Sequence, residues 1–189
     1  MISYLPSPKI SGKAARPALF IDRDGTLMEE VDHCHDPQHV RAIDGAADAL
    51  ARARAQGWLA IIITNQSGIG RGYFTEKDFE AVQKELKRQL HHHIDDSYMA
   101  PDLPNTGSLR RKPEPGMILE AAAEHAIDLS QSFMIGDRAG DIGCGKAVGC
   151  RTILVLTGYG KEHRDCGADF IAQNVTEAID IALAAAQRS

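Results

Sequence analysis

The chain has 189 residues, of which 43% are hydrophobic and 25% charged, with a formal net charge of -5. That length can bury a substantial core without metal or disulfide staples, but it is too short for two large domains. The acidic balance argues against broad nucleic-acid binding, which shows as a basic patch, and no stretch approaches the roughly 18 uninterrupted apolar residues of a membrane span.

Residues 1–16, rich in Pro, Ser and Lys, read as a loose leader without the basic and apolar regions of a signal peptide. Residues 17–189 read as a single domain. Cys34, Cys144, Cys150 and Cys166 form no CxxC pair and are expected to stay reduced. A cytoplasmic monomer is the expectation, with no nucleic-acid or membrane partner.

Ala18-Leu19-Phe20-Ile21 is an apolar run that reads as a buried strand ending in two carboxylates, Asp22 and Asp24. Residues i and i+2 of a strand face the same way, so both carboxylates are expected to face one pocket. There one can attack as a nucleophile while the other handles a proton. Gly25 permits a sharp turn and close approach to a ligand. An Asp-Gly surface turn explains one of the two aspartates but not the pair.

Ala46 to Gln56 has helical spacing and stops at Gly57. Trp58 to Ile63 is a second strand, apolar throughout as in a parallel sheet covered on both faces. Thr64-Asn65-Gln66-Ser67-Gly68-Ile69-Gly70-Arg71-Gly72 follows it, and its hydroxyls, amides and backbone N–H groups can wrap an anion. Thr75 caps the next helix with Asp78 three residues on, and Phe79, Val82, Leu86 and Leu90 form its apolar stripe. His91-His92-His93 at its end point in three directions and are not expected to chelate a metal.

A third strand is expected near Ile94 to Met99, then a polar loop containing Arg110-Arg111-Lys112, three cations able to neutralise phosphate. Pro115 opens a helix with Met117, Leu119, Ala122 and Ala126 turned inward. Phe133-Met134-Ile135 is a fourth strand, with Asp137 at its tip and Asp141 one helical turn later. With Asp22 these carboxylates make an oxygen-rich site suited to a hard cation, Mg²⁺, and no Cys or His beside them suggests zinc. Further strands at Arg151 to Leu156 and Ala168 to Ile171 precede a helix from Val175 to Ala186. The alternation predicts an α/β fold, a doubly wound, Rossmann-like parallel sheet with helices on both faces. Ligands then bind outside the carboxyl ends of the strands. The short inserts predict little or no cap domain.

Four such segments in order, each at a strand terminus, make the chain resemble the haloacid dehalogenase superfamily of phosphatases over about residues 18–172. Asp22-Arg23-Asp24-Gly25-Thr26, Thr64-Asn65-Gln66-Ser67-Gly68-Ile69 and Arg111-Lys112-Pro113 are similar to the heptose-bisphosphate and histidinol-phosphate phosphatase group within it. DNA 3′-phosphatases share part of this wording, and phospho-accepting receiver domains share the fold type. The resemblance implies Asp22 as nucleophile and Asp24 as proton shuttle. It implies Mg²⁺ held by Asp22, Asp137 and the Asp24 carbonyl, with Asp141 behind. Gly25, Thr64, Asn65 and Lys112 would hold phosphate, and Glu30, Asp32, His33, Gln66, Ser67 and Arg111 would meet the rest of a phosphorylated sugar. That group carries a zinc loop, Cys-x-His then Cys-x-Cys, just before Arg-Lys-Pro. Here Met99-Ala100-Pro101 and Ser108-Leu109-Arg110 stand there, so zinc is not expected.

Overall fold

The structure, a computed structural model, describes residues 15–187. Six strands form one sheet, all paired in parallel: β1 (Ala18–Ile21), β2 (Leu59–Asn65), β3 (Asp96–Ala100), β4 (Phe133–Gly136), β5 (Arg151–Val155) and β6 (Phe170–Ala172). Their order is β3-β2-β1-β4-β5-β6. The chain first winds outward from β1 to β3, then returns to place β4 against the other side of β1. The strand order therefore reverses between β1 and β4, where doubly wound sheets open a crevice for ligands.

Alternation along the central strands supplies both faces. Leu19 and Ile21 of β1 join Ile62, Phe133 and Ile135 in a core covered by α1 (Ala46–Ala55), α3 (Glu76–Gln89) and α6 (Val175–Ala186). Ala18 and Phe20 turn the other way, joining Ile61, Ile63 and Met134 under α4 (Gly116–His125) and Cys144 of α5 (Ala139–Ala147). One remaining helix, α2 (Ser67–Gly70), is a single turn directly after β2. Neither the 22–45 stretch, with one 3₁₀ turn at Pro37–His39, nor residues 101–115 builds a cap.

Several expectations need correction. Leu119 is 49% exposed, because α4 packs through Met117, Ile118 and Ala121 instead. Ala126 ends α4 in a left-handed conformation, φ 52°, and Pro115 is the residue before the first helical one. Trp58 lies just before β2, β3 begins at Asp96 rather than Ile94, and β6 begins at Phe170 rather than Ala168. Residues 1–14 of the expected leader lie outside the described residues. Arg16, its last residue, is tied in by backbone bonds to Ala126 and Asp128 at 3.1 and 2.9 Å. All four cysteines are free, and no helix among the described residues is long and apolar enough to cross a membrane.

Candidate active site

The tips of β1, β2 and β4 converge on a cavity of about 650 Å³ that is lined by Asp22, Asp24, Thr64, Lys112 and Asp141. Asp22 stays in the ladder one residue past β1, its N–H donating to Ile135 of β4 at 2.9 Å. Its buried carboxylate meets the Lys112 ammonium at 2.6 Å. Burial holds the Asp22 carboxyl well above the usual range, and Asp141, Asp137 and Asp24 add to this while Lys112 opposes it. Lys112 also donates to the Ile63 carbonyl and lies against Asp141, each at 2.6 Å. Burial disfavours its charge, but Asp141 and Asp22 prevail and raise its pKa.

Asp22, Asp137 and Asp141 bring one oxygen each within 4.8 Å of the others, all three residues being buried. Asp137 is fully buried: Oδ2 accepts from the Tyr159 N–H at 2.8 Å, while Oδ1 has no hydrogen-bond partner. Burial is the main reason its carboxyl is pushed up to about 6. Three hard oxygen donors with an orphaned buried carboxylate atom fit a divalent cation such as Mg²⁺. Asp141, expected behind the metal, stands in the cluster itself. Its two oxygens also serve Lys112 and the Arg138 N–H, the latter at 2.9 Å.

The Asp24 carboxylate is not in this trio. Arg23 grips it through Nε and Nη2, both at 3.0 Å, and Gln66 Nε2 donates to it at 2.8 Å. Any Asp24 contribution to a metal therefore falls to its main-chain carbonyl.

Three residues expected to meet phosphate or substrate carry contacts of their own in this structure, Asn65 and Gln66 while lining the cavity. Asn65 uses both side-chain atoms on the Lys112 peptide, at 3.1 and 3.0 Å, so it sets the lysine's position. Gln66 is committed to Asp24 and Thr64. Gly25 does not line the cavity. Its φ of +74° and missing Cβ let Asp137 close in, since a Cβ there would sit 2.6 Å from Asp137 Oδ2. Glu30, Asp32, His33, Ser67 and Arg111 do line the cavity wall. Burial, with Asp24 and Asp137 nearby, lifts the Glu30 carboxyl to about 7.

Residues 101–115 are ordered without metal ligands. Arg111 donates to the Asp102 carbonyl at 2.9 Å, Gly116 N–H to the Leu109 carbonyl at 2.9 Å, and Arg110 pairs with Glu120 at 3.0 Å. Among the described residues, neither group with metal-ligand geometry, the acidic trio or Asp96, Glu124 and His125, lies in this loop, which holds no Cys or His.

Sequence reasoning missed Arg71, Tyr73, Arg138, Tyr159 and His163, which complete the wall. Arg138 lies over the Tyr159 ring at 3.8 Å. A signal existed: Thr157-Gly158-Tyr159 follows β5 as the aspartate segments follow β1 and β4.

Sequence and structure comparisons agree with this geometry. A family model described as HAD-hydrolase-like matches residues 109–178. The D-glycero-D-manno-heptose-1,7-bisphosphate 7-phosphatase of Thermosynechococcus vestitus is 35% identical over 185 residues, covering 87% of this chain and 94% of its own. The corresponding β-heptose enzyme of Helicobacter pylori strain 26695 is 38% identical over 143 residues, 74% of this chain and 83% of its own. In structure, the heptose 1,7-bisphosphate phosphatase of B. bronchiseptica, solved with magnesium and phosphate, superposes with a TM-score of 0.82 at 28% identity, covering 92% of this chain and 99% of that one. Doubly wound sheet, paired aspartates and lysine-bridged acidic trio thus define a haloacid-dehalogenase-type phosphomonoester hydrolase. Within that class the chain belongs to the family of D-glycero-D-manno-heptose-1,7-bisphosphate 7-phosphatases.

Proposed function

We propose that this phosphatase removes the 7-phosphate of D-glycero-D-manno-heptose 1,7-bisphosphate through an aspartyl-phosphate intermediate. The observation that carries the reaction is Asp22, buried at the switch point of the sheet with Lys112 2.6 Å from one oxygen. Family membership and a cavity of about 650 Å³ walled by Arg71, Arg111 and Arg138 support the substrate, since a sugar carrying a second phosphate needs cations beyond those at the reacting group.

Asp22 attacks phosphorus and displaces the sugar oxygen, which takes a proton from Asp24. Asp24 then accepts a proton from the water that cleaves the aspartyl-phosphate, returning free Asp22 and inorganic phosphate. Thr64 and Lys112 hold the transferring oxygens and offset their charge. Mg²⁺ would be held by Asp22, Asp137 and the Asp24 carbonyl, with Asp141 beside them, and when bound it supplies the charge that lets one anion approach another.

Phosphate release with Mg²⁺ should be compared for heptose 1,7-bisphosphate, histidinol phosphate and a 3′-phosphorylated oligonucleotide. The heptose ester is expected to show the highest kcat/KM, and Asp22→Asn to abolish turnover on all three. Preference for either other ester reassigns the substrate. Phosphate uptake onto Asp22 without release points to a receiver-like role instead.

A further inference from the structure

Arg23 is the largest fully buried side chain among the described residues, yet it lies between two aspartates at the mouth of a polar cavity. It sits in the turn that follows β1, and its side chain forks onto its neighbour, with Nε to Asp24 Oδ2 and Nη2 to Asp24 Oδ1, both at 3.0 Å. Asp24 remains 20% exposed at the pocket, so one partner of the pair is dry and the other is wet.

Taking a guanidinium out of water costs several kcal/mol, and a partner that is itself still partly solvated offsets only part of that. Nη1 has no hydrogen-bond partner at all. Below it, the guanidinium carbon lies 5.1 Å from the Phe79 ring centroid on α3. Gln66 Nε2 closes the third side of the Asp24 carboxylate at 2.8 Å and bridges to Thr64 Oγ1 at 2.9 Å. A costly buried cation, shelved on a helix and forked onto one catalytic carboxylate, is poor stabilisation but good aim.

We infer that Arg23 is a positioning residue: its fork fixes the plane of the Asp24 carboxyl group so that one oxygen meets both the departing sugar oxygen and the incoming water. The inference rests on the phosphatase reading above and adds a second requirement to it. Proton delivery here depends on orientation as much as on the presence of Asp24, and the orientation is set from inside the core. Arg is suited to this, because only a planar fork restrains a carboxylate about its own axis.

A sugar alkoxide needs a proton to leave, whereas p-nitrophenolate leaves without one. Arg23→Lys keeps the buried charge but loses the fork, and Arg23→Met removes both. Expected for each is a loss of roughly 30- to 100-fold in sugar-phosphate turnover, within the range of general acid–base effects. The pre-steady-state burst of p-nitrophenol should keep its wild-type rate within about threefold, followed by slow turnover as phosphoenzyme accumulates. Burst amplitude counts folded active sites, so a variant that folds poorly lowers amplitude, not rate, and Arg23→Lys decides the matter if Arg23→Met does not fold. A p-nitrophenol burst rate that falls as far as sugar-phosphate turnover, or sugar-phosphate turnover that does not fall, overturns the positioning role. A wild-type enzyme that releases no phosphate from any ester overturns the phosphatase reading instead.

Discussion

Lys112 is where most of the buried charge at this site converges, with Asp22, Asp141 and the Ile63 carbonyl all at 2.6 Å. Because its folded pKa is raised, the stabilisation it brings is present throughout the range below its ordinary value and is lost only at strongly alkaline pH. Lys112→Met would leave two buried carboxylates facing each other without a cation. The expected cost is about 3–5 kcal/mol, read as a lower urea midpoint at unchanged slope, so lost activity in that variant reports folding as well as chemistry. An unchanged midpoint would mean that water already shares the load. The sequence exposed this group of residues because Asp22, Thr64, Asp137 and Asp141 each follow an apolar strand, and a strand tip is a place that hydrophobic pattern locates. Arg23 was not legible in the same way. Its burial depends on how the turn after β1 aims a side chain, and no periodicity encodes that. Asn65 was only partly legible for a related reason: an amide at a strand tip can hold an anion or a peptide, and only its distances to Lys112 reveal the second.

Helix α3 shows how local chemistry and site geometry meet in one element. Thr75 accepts from the Asp78 N–H at 3.3 Å while Asp78 accepts from the Thr75 N–H at 2.8 Å, a reciprocal cap in which Asp stands where Glu or Gln is usual. These bonds, with the Thr75 hydroxyl, hold the Asp78 carboxyl below its ordinary value. Thr75→Ala is expected to destabilise the protein by about 1 kcal/mol, a drop in Tm of about 2–4 °C for a chain of this length, with sugar-phosphate turnover within twofold of wild type. A larger fall in turnover than in stability would show that the cap also sets the Phe79 shelf beneath Arg23. The cap and the stripe from Phe79 to Leu86 could be read from the sequence, since both are local. The inward face of α4 could not. Its apolar residues run nearly all round, so Leu119 fits the pattern as well as Ile118 does, and only packing against the sheet decides which is covered. Likewise β6 is three residues long, too short for a period-2 signal to fix its start.

The acidic trio is assembled across the reversal of the sheet, with Asp22 from β1 and Asp137 and Asp141 from the β4–α5 junction. Carboxylate repulsion there, which Lys112 offsets only in part, works against joining the two halves of the doubly wound fold, and a bound cation would relieve it. Asp137 gives the sign. Its carboxyl is raised to about 6, so the fold disfavours its ionised form. That penalty is absent below the unfolded value near 4, grows as pH rises from there through 6, and is complete above it, on the order of 3 kcal/mol. A metal that binds only the folded state at a hundred times its Kd adds about 2.7 kcal/mol, or about 5–10 °C in Tm. Calorimetry at pH 7.5 should therefore show one cooperative transition that Mg²⁺ moves upward by that amount. At pH 4.5, with Asp137 protonated, the shift should shrink towards zero. Asp137→Asn can still accept from Tyr159 but carries no charge. It is expected to melt higher than wild type without metal, to show no Mg²⁺ shift, and to be inactive. A full Mg²⁺ shift in that variant would remove Asp137 from the cation site. A lower metal-free Tm would mean that charge repulsion across β1 and β4 is not what the resting protein is working against.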